Sequence, residues 1–480
     1  MTGLIRYGAY LPHHRLRRAE VAAALGERGG TGSRAVASYD EDATSMAVEA
    51  ARRALRGLPE QARPQRLLFA TASPPYLEKT NATVVHAALD LDPSVLAVDV
   101  NGSVRSGVGA LLLAAEGQAP TLVVLSDVRT GLAGGADERD AGDAAAGFLF
   151  GPGTDDAPVI AEMVAHASAT GEFLDRWRLP GTPVARVWEE RFGEYAYGPL
   201  ADASFTAALK SAGTTPAEVD VLIAAGTHGR AVRAFLAGAG VANVADSLAS
   251  TVGNPGTAQP GLLLADVLDR AGPGQTIVLT VLADGATTFV FRTTDALAGR
   301  RAPLPVARQI AAGDDSLRYA QFLSWRGQLT REPPRRPDPV GPVAPASLRT
   351  AGYKFGFAGS RCLQCGQVHL PPVRVCISCK AVDRMESLPL ADIPATVATY
   401  TIDHLAFSPS PPVVLVVVDF DGGGRFLCEL TDVDPSAVRI GDRVEMTFRR
   451  VITAGGIHNY FWKARPVPGD ASAASSNEES

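Results

Sequence analysis

The chain has 480 residues, a formal net charge of −6, 46% hydrophobic and 20% charged residues, 48 glycines and 34 prolines. At roughly 150 residues per domain this length calls for two to four units, and the composition is that of a globular protein, not a disordered or fibrous one. The acidic balance offers no basic field for phosphate contacts, so nucleic acid is excluded as a partner.

The N-terminus, MTGLIRYGAYLPHH, reads as a strand and turn. It lacks the basic start and the apolar run of roughly 7–15 residues that define a secretory signal. The longest apolar runs, PPVVLVVVDF and GLLLADVL, fall short of the roughly 18 residues that span a membrane. A cytoplasmic protein without membrane partners is expected. In that reducing setting, paired Cys-x-x-Cys elements point to thiolate ligation of metal and not to disulfides.

Along the chain, Asp40–Arg56 places Ala43, Met46, Ala47, Ala50, Ala51 and Leu55 on one helical face, followed by a buried strand at Arg66–Ser73 (RLLFATAS). Two further strands come next, TLVVLSDV and GDAAAGFLF. The pattern then recurs. A helix over Ala201–Ala212 aligns Phe205, Ala208 and Leu209, Asp220–His228 (DVLIAAGTH) repeats the buried strand, and TIVLTVLADGATTFVF repeats the strand pair, with Gly142–Phe150 matching Ala283–Phe291. Two such αβ halves, about 1–155 and 156–300, imply sheets buried on both faces by helices.

Residues 301–348 are a connecting segment, in which Gly327–Ser347 is dense in proline and charge and predicts a linker. Next come Cys362-x-x-Cys365 and Cys376-x-x-Cys379. Each knuckle offers two thiolates to one ion, so these four cysteines predict a structural zinc ribbon over 349–390. His369, between the knuckles, is expected to be exposed and not a ligand. Five short strands (ATVATYTI, PPVVLVVVDF, GRFLCELT, DRVEMTFRRV, NYFWKARP) predict a small β-barrel over 391–467, with Cys428 as a buried apolar residue. Residues 468–480, small, polar and acidic, predict a disordered tail. His13, His14, His86 and His166 show no ligand spacing and read as surface or packing residues.

The stretches LIRYGAYLPHHRL, YDEDATSMAVEAARRAL, TASPPYLEKTNATVVHAAL, GDAAAGFLFG and GNPGTAQPGLLLADVL resemble, in order and spacing, the thiolase superfamily and more closely its HMG-CoA synthase branch, over about residues 3–295. CLQCGQVHLPP, CELTDVDP and HNYFWKARP resemble the rubredoxin-like zinc ribbon and OB-fold that accompany thiolases, over 350–466. The resemblance implies a duplicated α-β-α-β-α fold followed by ribbon and OB-fold. It also implies acyl-CoA or carrier-bound thioester substrates, a homodimer, and a possible partner thiolase.

The family's cysteine nucleophile sits on a sharp strand-to-helix turn, and the matching turn here, AVDVNGSVRSGVGALLLA, puts Val104 in its place. No other residue of this domain is cysteine. Ser103 could be acylated if a base activated it, or could cap the helix. Arg105 could meet an anionic substrate or pair with a carboxylate. His228 and Asn254 match the family's catalytic histidine and Gly-Asn motif, where they could hold a thioester or enolate oxygen by hydrogen bonds; the alternatives are a structural histidine and a tight turn. The family's acid–base glutamate precedes a lysine. In Tyr76-Leu77-Glu78-Lys79 the gapless match puts Leu77 there and Glu78 one place late, so Glu78 is a candidate acid or a solvated loop charge, with Tyr76 a further proton donor.

Three functions follow. The first is aldol, retro-aldol or decarboxylative enolate chemistry on an acyl thioester without a cysteine. The others are condensation through Ser103, and a non-catalytic scaffold for a thiolase.

Overall fold

A computed structural model describes residues 2–332, 335 and 340–467. They form two compact units, one of residues 1–37, 42–83 and 92–322 and a second of 38–41, 84–91 and 323–480.

The first unit is built on nine strands: Gly3–Tyr10 (β1), Arg66–Thr71 (β2), Leu96–Asn101 (β3), Thr121–Asp127 (β4), Ala144–Gly151 (β5), Ala161–Ala169 (β6), Val221–Gly226 (β7), Thr276–Leu282 (β8) and Ala286–Thr293 (β9). Their order is β7-β8-β9-β6-β1-β5-β4-β2-β3. The duplication is explicit in the pairing: β2 lies parallel to β4, and β7 parallel to β8, while β4–β5 and β8–β9 are antiparallel neighbours. The two half-sheets meet where Gly3 and Leu4 of β1 pair with Glu162 and Ala161 of β6. In place of a full counterpart to β3, the second half has a single parallel bridge, Leu222 with Val244.

Five helices complete the layers: Ala43–Leu55 (α1), Arg105–Ala115 (α2), Glu190–Ala212 (α3), Gly229–Gly238 (α4) and Gln259–Leu268 (α5). Helix α1 starts at a capping box, with the Asp42 carboxylate accepting from the Ser45 N–H and the Ser45 hydroxyl accepting from the Asp42 N–H. It lies on β1 and β5. Approach is close enough that a Cβ on Gly8 would stand 2.6 Å from the Ala54 backbone nitrogen. Helices α2 and α5, rich in leucine and alanine, share one core with both half-sheets. Helices α3 and α4 cover the second half with a separate core of Tyr197, Phe205, Leu209 and Phe235. The buried faces therefore follow the expected α-β-α-β-α order.

Helix α3 differs from expectation. It begins at Glu190, eleven residues before Ala201, and carries Pro199 inside it. Its inward face continues through Gly193 and Tyr197, so tertiary packing overrides the local cost of proline.

In the second unit, strands Ala358–Cys362, Val368–His369 and Met385–Pro389 form a small sheet that carries the cysteine knuckles. Strands Ala395–Asp403, Val413–Phe420, Arg425–Leu430, Arg443–Ala454 and Ile457–Pro466 close a barrel. Phe357 packs its ring on Phe420, Phe426 and Trp462. A helix, Ala344–Arg349, occupies the C-terminal end of the segment read as a structureless linker. Residues 468–480, read as a disordered tail, lie outside the described residues. Among the described residues no helix is long and apolar enough to cross a membrane.

The barrel buries an ionic network. Arg449, with no exposed side-chain surface, contacts Asp40 (3.3 Å), Glu41 (3.2 Å) and Asp432, while Lys463 contacts Asp40 (2.9 Å) and Glu429. Burial pushes the Asp40 carboxyl up, but Lys463 and Arg449 outweigh that and hold it well below the ordinary carboxylate range. Removing one partner strands the others without compensation. Arg449→Met should therefore destabilise the second unit by about 3–5 kcal/mol in chemical denaturation. Because the Asp40 pKa is depressed by folding, its stabilisation is complete above the unfolded-state value and lost as pH falls below about 4. The parent's unfolding transition should weaken with acid over that range, and Asp40→Asn should flatten the dependence.

Candidate active site

The turn between β3 and α2 lines a cavity of about 550 Å³ in the first unit. Ser103 and Val104 form part of its wall, with Ala72–Pro74, Leu77, Asp127–Thr130, Asp175–Thr182, Tyr197, Thr227, Ala283 and Asp284. This volume is in the range of small-molecule sites. Val104 is the N-cap residue of α2, with φ −58° and ψ −33° and no side-chain cap. A side chain here faces the positive end of the helix dipole, where a thiolate would be favoured; an isopropyl group offers neither charge nor lone pair.

The Ser103 hydroxyl does not cap the helix. The Ser106 hydroxyl instead accepts from the Ser103 N–H at 3.3 Å, and the Ser103 hydroxyl makes no hydrogen bond among the described residues. Arg105 contacts neither carboxylate nor cavity. Its guanidinium donates to the Ala283 carbonyl and the Thr170 hydroxyl, each at 3.0 Å, neutral acceptors in place of the carboxylate considered for it.

His228 and Asn254 converge on the end of β7 but direct their polar atoms at backbone. The His228 Nδ1 accepts from the Ala231 N–H (3.1 Å), capping α4, so the neutral ring carries its proton on Nε2 and donates it to the Glu190 carbonyl at 2.8 Å. The first turn of α3 covers the ring: a Cβ on Gly193 would fall 2.6 Å from Nε2. The Asn254 amide donates to the Gly226 carbonyl (2.8 Å) and accepts from the Gly256 N–H (2.9 Å). Neither residue lines the cavity, although Thr227 does. Glu78 is exposed and outside the lining, and the neighbouring Leu77 takes the wall position. Tyr76 stays partly buried, its N–H donating to Asn81.

Two groups that sequence reasoning missed do face the cavity. Asp175 is buried, and its carboxylate accepts from the Tyr197 hydroxyl at 3.2 Å, while that hydroxyl accepts from the Asp284 N–H at 3.3 Å. Burial and the Asp175 charge raise the Tyr197 pKa, so the phenol keeps its proton at any ordinary pH. The signal was the spacing Gly193, Tyr197, Ala201, a helical face running back through Pro199.

The cavity floor hangs on Asp127. One carboxylate oxygen accepts from the Thr71 hydroxyl (2.8 Å), the Ala72 and Ser73 N–H groups (2.8 and 3.1 Å) and the Ser73 hydroxyl (3.0 Å). The other accepts from the Thr257 N–H at 2.7 Å. Gly256, at φ +56°, completes the contact, because a Cβ there would lie 2.5 Å from that second oxygen.

In the second unit the sulfurs of Cys362, Cys365, Cys376 and Cys379 lie within 4.8 Å of one another. Cys362 and Cys379 are 3.6 Å apart, Cys365 and Cys376 3.5 Å. A tetrahedron with metal–sulfur arms of about 2.3 Å has edges of about 3.8 Å, so the donor set fits one ion. His369 is buried beside Cys376, correcting the expectation that it is exposed. His13 and His14, given no ligand spacing in sequence, gather with Asp314, and His14 holds the Asp314 carboxyl below its ordinary range. His166 pairs with Glu116 at 3.0 Å.

Duplicated αβ halves around a reaction turn at a helix N-terminus define the thiolase-like class of acyl-thioester condensing enzymes. Known proteins agree. The hydroxymethylglutaryl-CoA synthase of Pyrobaculum aerophilum is 30% identical over 351 residues, covering 68% of this chain and 98% of the relative; that of Methanococcoides burtonii is 26% identical over 346. The chain belongs to the hydroxymethylglutaryl-CoA synthase family. Among solved structures, MvaS in complex with 3-hydroxy-3-methylglutaryl coenzyme A superposes with a TM-score of 0.59 at 20% identity, covering 70% of this chain and 94% of that one. The 3-oxoacyl-[acyl-carrier-protein] synthase III of Aquifex aeolicus gives 0.52 at 20%, covering 61% and 100%. The family model for the ChsH2 C-terminal OB-fold domain matches residues 389–449.

Asp127→Asn replaces an acceptor-only group with one that turns an N–H₂ toward donors. It should cost about 3 kcal/mol in unfolding free energy of the first unit, measured by denaturant titration.

Proposed function

We propose that this protein makes or breaks a carbon–carbon bond beside an acyl thioester without forming an acyl-cysteine, by aldol, retro-aldol or decarboxylative enolate chemistry. One observation carries the reading: Val104 occupies the nucleophile's turn in the wall of an otherwise well-formed cavity. Support for a CoA or carrier-bound thioester comes from relatives, MvaS having been solved with a CoA thioester and the curacin-pathway HMG synthase with an acetyl donor carrier protein.

In the cleavage direction, the Tyr197–Asp175 pair takes the proton of a β-hydroxyl group, Asp175 being the ultimate acceptor through the phenol. The Cα–Cβ bond breaks, a carbonyl product leaves, and the electron pair remains on Cα as a thioester enolate. Its oxygen is stabilised at the N-terminus of α2, whose dipole favours negative charge. The same pair returns the proton. His228 and Asn254, held on backbone partners, fix the strand end that presents Thr227. A second reading, acyl transfer through Ser103, is favoured by that residue's unbonded hydroxyl at the wall.

Intact-mass measurement after incubation with a panel of acyl-CoA thioesters, with product detection, separates the two. Turnover without a mass adduct, reduced roughly 100-fold or more in Tyr197→Phe, is the expected result. A stable adduct abolished by Ser103→Ala would replace it with the acyl-transfer reading. Absence of both binding and turnover, even with a thiolase added, would leave a scaffolding role.

We further propose that Cys362, Cys365, Cys376 and Cys379 hold a structural zinc ion, supported by the tetrahedral sulfur cluster. Purified protein should contain one zinc per chain by elemental analysis. Cys376→Ser should lose it and lower the melting temperature, since ribbon folding draws on metal binding. A metal-free protein of unchanged stability after chelation would refute the assignment.

A further inference from the structure

Three side chains with ligand chemistry meet in the first unit outside the cavity lining. His13 and His14 follow Pro12 in the turn after β1, and Asp314 comes from the segment behind the helix Val306–Ala311. One nitrogen or carboxylate oxygen from each lies within 4.8 Å of those of the other two, and none of the three lines the cavity.

The backbone fixes this meeting. His14 opens the short strand His14–Arg17, which pairs with Ser33–Val36, and it also forms a parallel bridge to Asp314. The Arg15 N–H donates to the Asp314 carbonyl (2.6 Å), and the Asp314 N–H donates to the His13 carbonyl (2.9 Å). The buried Arg15 guanidinium holds the turn by donating to the carbonyls of Pro12 (2.5 Å), His13 (3.4 Å), His14 (3.0 Å) and Gln309 (3.0 Å). Gly313 is required beside it, because a Cβ there would stand 2.7 Å from the guanidinium carbon. Neighbours in a regular strand point to opposite faces. Here the turn instead brings the two imidazole rings together, with centroids 5.1 Å apart and planes at 72°.

The spacing is that of metal ligands. The His14 Nδ1 stands 3.4 Å from an Asp314 carboxylate oxygen. A charge-assisted hydrogen bond would be shorter, about 2.7–2.9 Å. Two ligand atoms on a tetrahedral ion, with arms of about 2.0–2.1 Å, lie about 3.3 Å apart. The carboxylate is also oriented from behind. Ser316 donates its hydroxyl to that same oxygen (2.8 Å) and its N–H to the other (3.0 Å), the outer-shell support that ligating carboxylates have. All three residues are partly exposed, so water can complete the coordination. Two imidazoles with one carboxylate suit zinc and its transition-metal neighbours, whereas magnesium and calcium take oxygen ligands.

We infer that His13, His14 and Asp314 bind one divalent transition-metal ion of the zinc class, through ligands distinct from the four cysteines. The ion clamps the segment behind Val306–Ala311 to the turn after β1. This inference is independent of the proposed reaction.

The test titrates the full chain with zinc by calorimetry and counts bound metal by elemental analysis. At saturation His13→Ala and His14→Ala should each hold one zinc fewer per chain than the parent, while Cys376→Ser should keep this ion. Loss of an outer-shell partner typically weakens a site by about 10–100-fold, so Ser316→Ala should lower the zinc affinity by roughly tenfold and Asp314→Ala by more. Should His14→Ala fail to fold by circular dichroism, the more peripheral change His13→Ala carries the test. Equal zinc content and affinity in the parent and the histidine variants would overturn the site and leave only a histidine–aspartate pair. Magnesium binding there as tightly as zinc would overturn the assigned class of ion.

Discussion

The cavity of the first unit depends on one buried carboxylate. Asp127 ends β4, and its oxygens gather the loop after β2 (Thr71 to Ser73) and the turn before α5 (Thr257) around a single point. Three N–H groups and two hydroxyls supply the hydrogen bonds that water would have given. The consequence is a floor with little freedom. The Asn-Pro-Gly turn cannot move without stripping Asp127 of a donor. Gly256 cannot gain a side chain without meeting both Asp127 and Arg129.

On this floor the turn before α2 carries Val104 where the family resemblance expects a cysteine. A helix N-terminus without a thiol still offers a field that favours negative charge, although the valine side chain itself cannot be acylated. His228 is covered as well. A histidine that must shuttle protons for a thiolate has to present a nitrogen to the cavity, and here both nitrogens are occupied by backbone, with Gly193 allowing α3 to close over the ring. Under the proposed reaction, proton handling passes to the Tyr197 phenol carried by α3 and to the Asp175 carboxylate from the segment before that helix.

Much of the architecture was legible because burial leaves periodic traces. The apolar runs at Arg66–Ser73 and Asp220–His228, the face of Asp40–Arg56 and the five alternating barrel strands each report a packed surface directly. The cysteine knuckles were equally plain, since ligand spacing is local. What escaped notice depends on partners far apart in sequence. Nothing near His228 says that the Glu190 carbonyl will take its proton. Nothing near Arg105 says that it will bond Thr170 and Ala283, in the other half. Tyr197 was hidden by Pro199, a residue that ordinarily ends a helix and here does not. His369, between the knuckles, was read as exposed, whereas the fold buries it against the sulfur cluster.

The chemical division between the two units follows from where thiols and charges are spent. All five cysteines lie beyond residue 361. Four are gathered into one cluster, and Cys428 is buried in the barrel, where desolvation pushes its thiol up to about 12 and keeps it inert. Cysteine chemistry therefore has no place in the first unit, which holds no thiol, and the barrel's lone thiol is buried. The first unit's cavity offers a helix terminus, a phenol held protonated against a carboxylate, and guanidiniums set among carboxylates. Under the proposed reaction those are the tools of enolate stabilisation, and a transition state that develops charge without a covalent bond to the protein is the one they would serve.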